Sequence, residues 1–346
     1  MTLRPGKLPP ALLGELLAGL SADPSLMLGP GIGRDAALID LGDRMLVATT
    51  DPITFAAEDI GWYAVQVNAN DIACMGARPR WMLATLLLPP GAPDDLPSRI
   101  MRQMTAAATP LGVTIVGGHS EVTVGLERPI VSATMLGEAR HDQIVSGEGV
   151  AGDAVLLTKA IAIEGTALLA REAPRRLART GMSLPDVDAA AAMLFDPGIS
   201  IVKDAQAICA AARPRALHDP TEGGIATALT EMSMAVRARL RIERRSIPID
   251  DRTRTVCELL TLDPLGLLAS GSLLAIIDPS DLTKTQHALD ASGIPSTVIG
   301  RIVGGEPGVI MADDSGESPF PTFDRDELAR FLDDAIEHGT PEGSDA

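Results

Sequence analysis

From Asp59 to Pro79 the chain reads DIGWYAVQVNANDIACMGARP, with apolar positions at helical spacing. At roughly 100° per residue, Ile60, Ala64, Val67 and Met75 form one stripe, and Asp71 points from the middle of it. Burying an isolated carboxylate is costly, so such an acid needs a cation, a metal ion or a set of hydrogen-bond donors. Asn68, one turn earlier, lies at the edge of the same face. On this segment alone a structural cap and a ligand-bearing acid are both open.

The same patterning predicts alternating helices and strands along the rest of the chain. Pro9 to Leu20 reads as a first helix, Leu28 to Asp35 as a Gly-rich loop and Pro97 to Leu111 as a further helix. Strands are expected at Arg44 to Thr50, Met82 to Leu88, Val113 to Val116 and Ile130 to Leu136. Gly147, Gly149, Gly152 and Asp153 mark a domain junction, after which VLLTK is a strand and Ile161 to Glu172 a helix. Pro174 to Pro197, rich in Arg, Ala and Asp, reads as helix-poor or mobile. Helices follow near Ile201 to Ala212, Gly224 to Val236 and Arg252 to Leu260, with strands at Leu273 to Asp278, Val298 to Arg301 and Val309 to Met311. No short internal repeat is evident. The expected organisation is a helical extension over 1–27, one α/β domain over 28–149, a second over 150–312 and an acidic C-terminal segment over 313–346.

At 346 residues the chain is long enough for two domains, each burying its own core. With only eight aromatic residues, that core must be built from Ala, Val, Ile, Leu and Met. A net charge of -17 argues against nucleic acid or an anionic membrane as partner, since both call for a basic face. Over half of that excess lies between Asp313 and Ala346, where eleven acids face two bases. This stretch predicts a solvated helix from Arg325 to Glu337 followed by a disordered end, with docking of a partner as one use. No apolar run of about 18 residues and no signal-peptide pattern occur, so a cytoplasmic location is expected. Cys74, Cys209 and Cys257 are widely spaced and odd in number, which suits buried small hydrophobes better than disulfides or a zinc site.

Four segments carry candidate chemistry. LGPGIGRDAALID sets glycines, Gly31 and Gly33 among them, beside Arg34 and Asp35, allowing backbone amides to approach an anion, although it is neither a Walker motif nor a dinucleotide fingerprint. ATTDPITF ends a strand in Thr49, Thr50 and Asp51. IVGGHSEVTVG reads as a loop offering Gly117, Gly118, His119 and Glu121. In LHDPTEGGIATAL, Asp219 and Thr221 precede Gly223 and Gly224 at a helix start, where amides favour an anion or a capping side chain. Asp35, Asp51, Asp71, His119 and Glu121 form an oxygen-rich set with one imidazole, suited to Mg²⁺, and Mg²⁺ commonly arrives with phosphates.

GRDAALI, ATTDPITF, the Asp59–Pro79 segment, VGGHSEV and LHDPTEGGIATAL, in this order, resemble the aminoimidazole ribonucleotide synthetase (PurM-like) superfamily across roughly Leu28 to Met311. That superfamily includes selenophosphate synthetase, thiamine monophosphate kinase and the hydrogenase maturation protein HypE. TVCELLTLDPLGLLASGSLLAII is most similar to the HypE branch. The resemblance implies a two-domain α/β (α+β) architecture, with an N-terminal sheet that pairs across a homodimer and a C-terminal α/β sandwich domain. It also implies ATP and Mg²⁺ in a cleft of the first domain, near the dimer interface. On that pattern Asp35, Asp51 and Asp71 are metal candidates, and Asp71, His119 and Asp219 are catalytic candidates. Gly31, Gly33, Arg34, Asn68, Gly117, Gly118, Thr221, Gly223 and Gly224 are candidates for holding the nucleotide.

Three departures are visible. Arg34 replaces the first acid of the usual pair, and His119 stands where HypE usually has Asp, although selenophosphate synthetase has a similar GGHS. The chain ends EGSDA, whereas HypE ends in a tail whose last cysteine carries the carboxamide to be dehydrated. The implied activity is phosphorylation or dehydration-type activation of an oxygen on a small molecule or a protein-borne group. A thiamine monophosphate kinase-like transfer is one alternative, and a non-catalytic nucleotide-binding partner protein is another.

Overall fold

In the computed structural model, which describes residues 8, 10–20, 23–29, 31, 35–54, 56 and 58–337, the chain divides into two units. One runs from Leu20 to Val145, and the other from Ser146 onward together with the first 19 residues, which hold α1 (Pro10–Ala18).

The first unit is one six-stranded sheet with two helices. Its strands are β1 (Leu26–Leu28), β2 (Ala37–Asp40), β3 (Met45–Ile53), β4 (Arg78–Leu88), β5 (Thr114–Val122) and β6 (Ile130–Ala139), in the order β1-β2-β3-β6-β4-β5. All neighbours are antiparallel except β4 and β5, which run parallel. In β6 every second residue from Val131 to Ala139 is buried and those between are half-exposed. This period of two marks a sheet covered on one face only.

The cover is α2 (Ile60–Cys74), which lies across β3, β6 and β4, with α3 (Leu96–Leu111) packed against it. The single apolar stripe expected on α2 is therefore too narrow a description. Enclosed by sheet and α3, the helix is buried on nearly every side, and only Trp62 and the expected core residue Val67 are half-exposed. It stops at Gly76, whose φ of +74° disfavours other residues and whose added Cβ would lie 2.3 Å from the carbonyl oxygen of Gln143.

The second unit is a seven-stranded sheet in the order β13-β12-β9-β11-β7-β10-β8. Its strands are β7 (Ala154–Thr158), β8 (Ala216–His218), β9 (Arg239–Glu243), β10 (Leu274–Ile277), β11 (Ser296–Val303), β12 (Gly308–Asp313) and β13 (Gly316–Pro319). Only β9 and β12 pair in parallel. Its longer helices are α4 (Ile163–Glu172), α7 (Val202–Ala211), α8 (Gly224–Ala235), α9 (Asp251–Leu260) and α10 (Leu282–Ala291), with α5 (Pro174–Arg179) and α6 (Leu184–Ala191) between α4 and α7. Every residue of β7 and β10 is buried, as expected of central strands covered on both faces. Val155, Leu157, Leu240, Leu274 and Ile276 pack against Ile225, Leu229 and Met232 of α8.

Two expectations are corrected here. The stretch expected to be helix-poor, Pro174 to Pro197, holds α5 and α6 and buries Leu177, Met182, Val187, Ala190, Met193 and Leu194. Its prolines mislead because Pro174 and Pro185 occupy first-turn positions, where proline needs no hydrogen-bond donor, and the Ser183 hydroxyl accepts from the Asp186 N–H. The helix expected to be solvated is α11 (Glu327–Glu337), and Glu327, Leu328, Ala329 and Phe331 in its first half are buried. The end expected to be disordered lies outside the described residues. Among the described residues, no helix is long and apolar enough to cross a membrane.

Candidate functional site

Asp71 sits in the last turn of α2 and is 6% exposed. The hydroxyl of Thr49, on β3 beneath it, lies 2.7 Å from Asp71 Oδ2 and 2.8 Å from the backbone carbonyl oxygen of Asp35. One hydroxyl proton serves two acceptors, so an acidic oxygen and a carbonyl oxygen converge on one point. One turn earlier, Asn68 is fully buried and grips the backbone of Asp51: its Oδ1 accepts from the Asp51 N–H at 3.0 Å. Its Nδ2 reaches the Asp51 carbonyl at 3.4 Å and donates to the Ala64 carbonyl at 2.9 Å. Asn68, a candidate for holding nucleotide, is thus placed as a strut that fixes Asp51. The strand runs on through Pro52 and Ile53, so Asp51 lies inside β3 rather than at its end.

The structure brings Asp35, Thr49, Asn68, Asp51 and Asp71 together and leaves His119 and Glu121 out. The expected loop from Gly117 is part of edge strand β5. Pairing registers place Asp51 beside Ala133, Ala133 beside Ala84 and Ala84 beside Gly118. At the usual strand spacing, Asp51 and Gly118 are about 14 Å apart on the helix-covered face. His119, one residue further along, projects from the opposite face, where its Nε2 lies 3.1 Å from Glu121 Oε2 in solvent. The His119 hydrogen bond, followed by that from Thr123, holds the Glu121 carboxyl below its ordinary value. The single five-residue set read from the sequence therefore does not form within one chain. Gly118 has a packing reason of its own, since a Cβ there would lie 1.8 Å from the Ala84 carbonyl oxygen. Gly31 is half-buried, while Gly33 and Arg34 lie outside the described residues.

In the second unit, Asp219 is buried just beyond β8. The carbonyl of Thr221 accepts from the Gly224 and Ala269 N–H groups, folding the loop against the chain before β10. Gly223 and Gly224 have φ of +80° and +64°, and a Cβ on Gly224 would lie 2.4 Å from the Leu265 carbonyl oxygen. The sequence suggests an anion or a local cap at this helix start. The group found there is the carboxylate of Asp326, just ahead of α11, which accepts from the N–H groups of Gly223 at 2.6 Å, Leu328 at 2.7 Å and Leu268 at 3.3 Å. Burial nonetheless raises Asp326 to about 6. Gly223 is therefore engaged from within the domain and does not present its amide to a nucleotide.

Other buried polar groups of this unit were not among the sequence candidates. His218 Nε2 lies 3.0 Å from Glu231 Oε2, and Glu164, in the first turn of α4, pairs with the Ser270 side chain. The signal for Glu164 was present, because AIAIEGTALLA places one acid in an apolar helical run just as the Asp71 segment does. Cys74 and Cys257 are buried and Cys209 half-buried, and burial pushes the Cys209 and Cys257 thiols up to about 11 and about 12.

Comparison with known proteins agrees with this architecture. Residues 33–139 match the N-terminal domain, and residues 150–313 the C-terminal domain, of AIR synthase related proteins. The carbamoyl dehydratase HypE of Rhodobacter capsulatus is 31% identical over 288 residues, 80% of each chain. That of Cupriavidus necator is 30% identical over 265 residues, 73% of this chain and 71% of its own. A putative hydrogenase expression/formation protein of Methanocaldococcus jannaschii is 28% identical, covering 80% of this chain and 82% of its own. Among solved structures, a HypE–HypF complex superposes with a TM-score of 0.72 at 22% identity, covering 90% of this chain and 100% of that one. HypE in complex with ATP gives 0.66 at 24% identity, covering 92% and 96%. A ThiL structure complexed with AMPPCP and TMP gives 0.68 at 20% identity, covering 91% and 94%. Two α/β units in family order, with residues 33–139 and 150–313 matched, place the chain: it belongs to the AIR synthase related family, among relatives that include the HypE carbamoyl dehydratases.

Proposed function

We propose that this protein is an ATP- and Mg²⁺-dependent enzyme that activates an oxygen of a small molecule or a protein-borne group. Relatives about 30% identical are named carbamoyl dehydratases, and a HypE of the same fold is described in complex with ATP. Removing water from a carboxamide is slow because hydroxide leaves poorly. Transfer of the γ-phosphoryl group of ATP to the amide oxygen replaces that leaving group with phosphate, and the amide nitrogen gives up its protons as phosphate departs.

The observation that carries this reading is the oxygen cluster on the helix-covered face of the first sheet: Asp71 against Thr49 and the Asp35 carbonyl, with Asp51 fixed by Asn68. Hard oxygen donors of this kind fit Mg²⁺, and Asp35, Asp51 and Asp71 would hold it. Bound there, the ion would supply charge neutralisation for a triphosphate. The open sheet face fits a homodimer, and the HypE–HypF complex supports a protein partner.

Titration calorimetry of Mg-ATP against the parent and Asp71→Asn tests the assignment. Affinity is expected to fall about tenfold or more, roughly 1.4 kcal/mol, with turnover falling in step. Equal binding and turnover by the variant would overturn it.

A further inference from the structure

One acid of the second unit is placed without a use in its fold. Glu164 is 6% exposed, and its backbone is pinned where the Glu164 and Gly165 N–H groups donate to the carbonyls of Ser270 and Leu268. Ser270 also bonds the carboxyl, which leaves Oε2 buried and without a hydrogen-bond partner. The charged groups that act on it most strongly among the described residues are acids: Asp326 just ahead of α11, and Asp219 and Glu222 on the loop before α8. Asp326 is no relief, since its oxygens accept backbone N–H groups.

A buried carboxylate oxygen without a donor, among three further acids, is destabilising for a fold, and an apolar residue there would avoid the cost. The missing element is a positive hydrogen-bond donor. A metal ion does not match, because among the described residues Glu164 belongs to no group of three ligands close enough to share one. Thr221 and Glu222, on the loop before α8, are half-exposed.

We propose that Glu164 is the residue by which the second unit binds its small-molecule ligand, its Oε2 accepting a hydrogen bond from a positively charged nitrogen group, with Ser270 setting the orientation of the carboxylate. Asp219, Glu222 and Asp326 add a negative field that selects a cationic N–H donor over a neutral amide. This deepens the proposed function by naming a chemical feature of the substrate, and it rests on that reading only in that the domain receives a small molecule.

The test is thermal unfolding of the full chain at about pH 8, where Glu164 is ionised, with acetamidinium and methylammonium chlorides as probes. Acetamide serves as the neutral isostere and tetramethylammonium as the cation lacking N–H. The parent is expected to gain about 2–4 °C with the two N–H cations and nothing with the two controls, and Glu164→Gln to lose the gain. No gain in the parent, an equal gain with acetamide or tetramethylammonium, or an unchanged gain in Glu164→Gln would overturn the assignment. Should Glu164→Gln fail to fold, Glu164→Asp keeps the charge one methylene short and is expected to lose the gain; retention would overturn it equally. Calorimetry of Mg-ATP on the same variants keeps failure of this assignment separate from failure of the Asp71 site.

Discussion

Asp71 and Glu164 are both acids inside apolar helical runs, and they differ in what meets them. Asp71 is met by the Thr49 hydroxyl, whereas Glu164 is met by Ser270 and lies near Asp326, Asp219 and Glu222. Desolvation, opposed by the Ser270 hydrogen bond and reinforced by Asp326, Asp219 and Glu222, raises Glu164 from 4.5 to about 7. The folded chain therefore binds a proton that the unfolded chain has already released. The stability this proton confers is complete below pH 4.5 and is lost as pH rises through about 7. Glu164→Gln is expected to flatten that slope and to be more stable than the parent above pH 7, by up to about 3 kcal/mol, in urea unfolding run across the window. A parent-like slope in the variant would assign the proton uptake elsewhere, with Asp326, raised from 3.8 to about 6, the nearest alternative. Both Asp71 and Glu164 were legible from a local pattern. The strut from Asn68 to Asp51 was not, because its meaning lies in a backbone 17 residues away.

At the scale of elements, local periodicity located most helices and the central strands, since burial on one side or both leaves a signature within a few residues. It failed where the deciding contact is remote. Residues 117–122 carry Gly, His, Ser and Glu, a composition typical of loops, yet parallel pairing with β4 makes them an edge strand. The acidity of α11 suggested solvation, yet its start is anchored by Asp326 to the amides of Gly223 and Leu268, and Arg176 stacks on Phe331 with its guanidinium 4.4 Å from the ring centre. Asp326→Ala removes the acceptor for three amides at once. It is expected to cost about 1.5–3 kcal/mol, less whatever relief follows from removing an acid beside Glu164. Hydrogen exchange should quicken at Leu328 and along α11 and at Gly223, while β7 and β10 keep their protection. Unchanged exchange at Gly223 would show that α11 and the loop are independent.

At the scale of the whole molecule, the uncovered face of the first sheet is the feature that the single chain does not complete. Leu46, Leu87 and Leu136 are half-exposed there, and Leu83 is 40% exposed. They stand among Thr50, Thr134, Ser132 and Thr85, while Val116 bulges out of the β5 edge at 52% exposure. An apolar patch rimmed by hydroxyls and by the His119–Glu121 pair is the face on which the proposed homodimer would form, against the repulsion of a net charge of -17 on each copy. A second copy meeting the same face would exclude water from the leucines while leaving α2 and the Asp71 cluster on the far side of the sheet. Light scattering is expected to show a dimer for the parent and a monomer for the double variant Leu83→Glu, Leu136→Glu, because two carboxylates buried at a two-fold contact face their own copies. The monomer should keep its far-ultraviolet dichroism, since neither side chain lies in the packed interior. A parent that is monomeric at all concentrations, or a variant that still dimerises, would move the association surface away from this face.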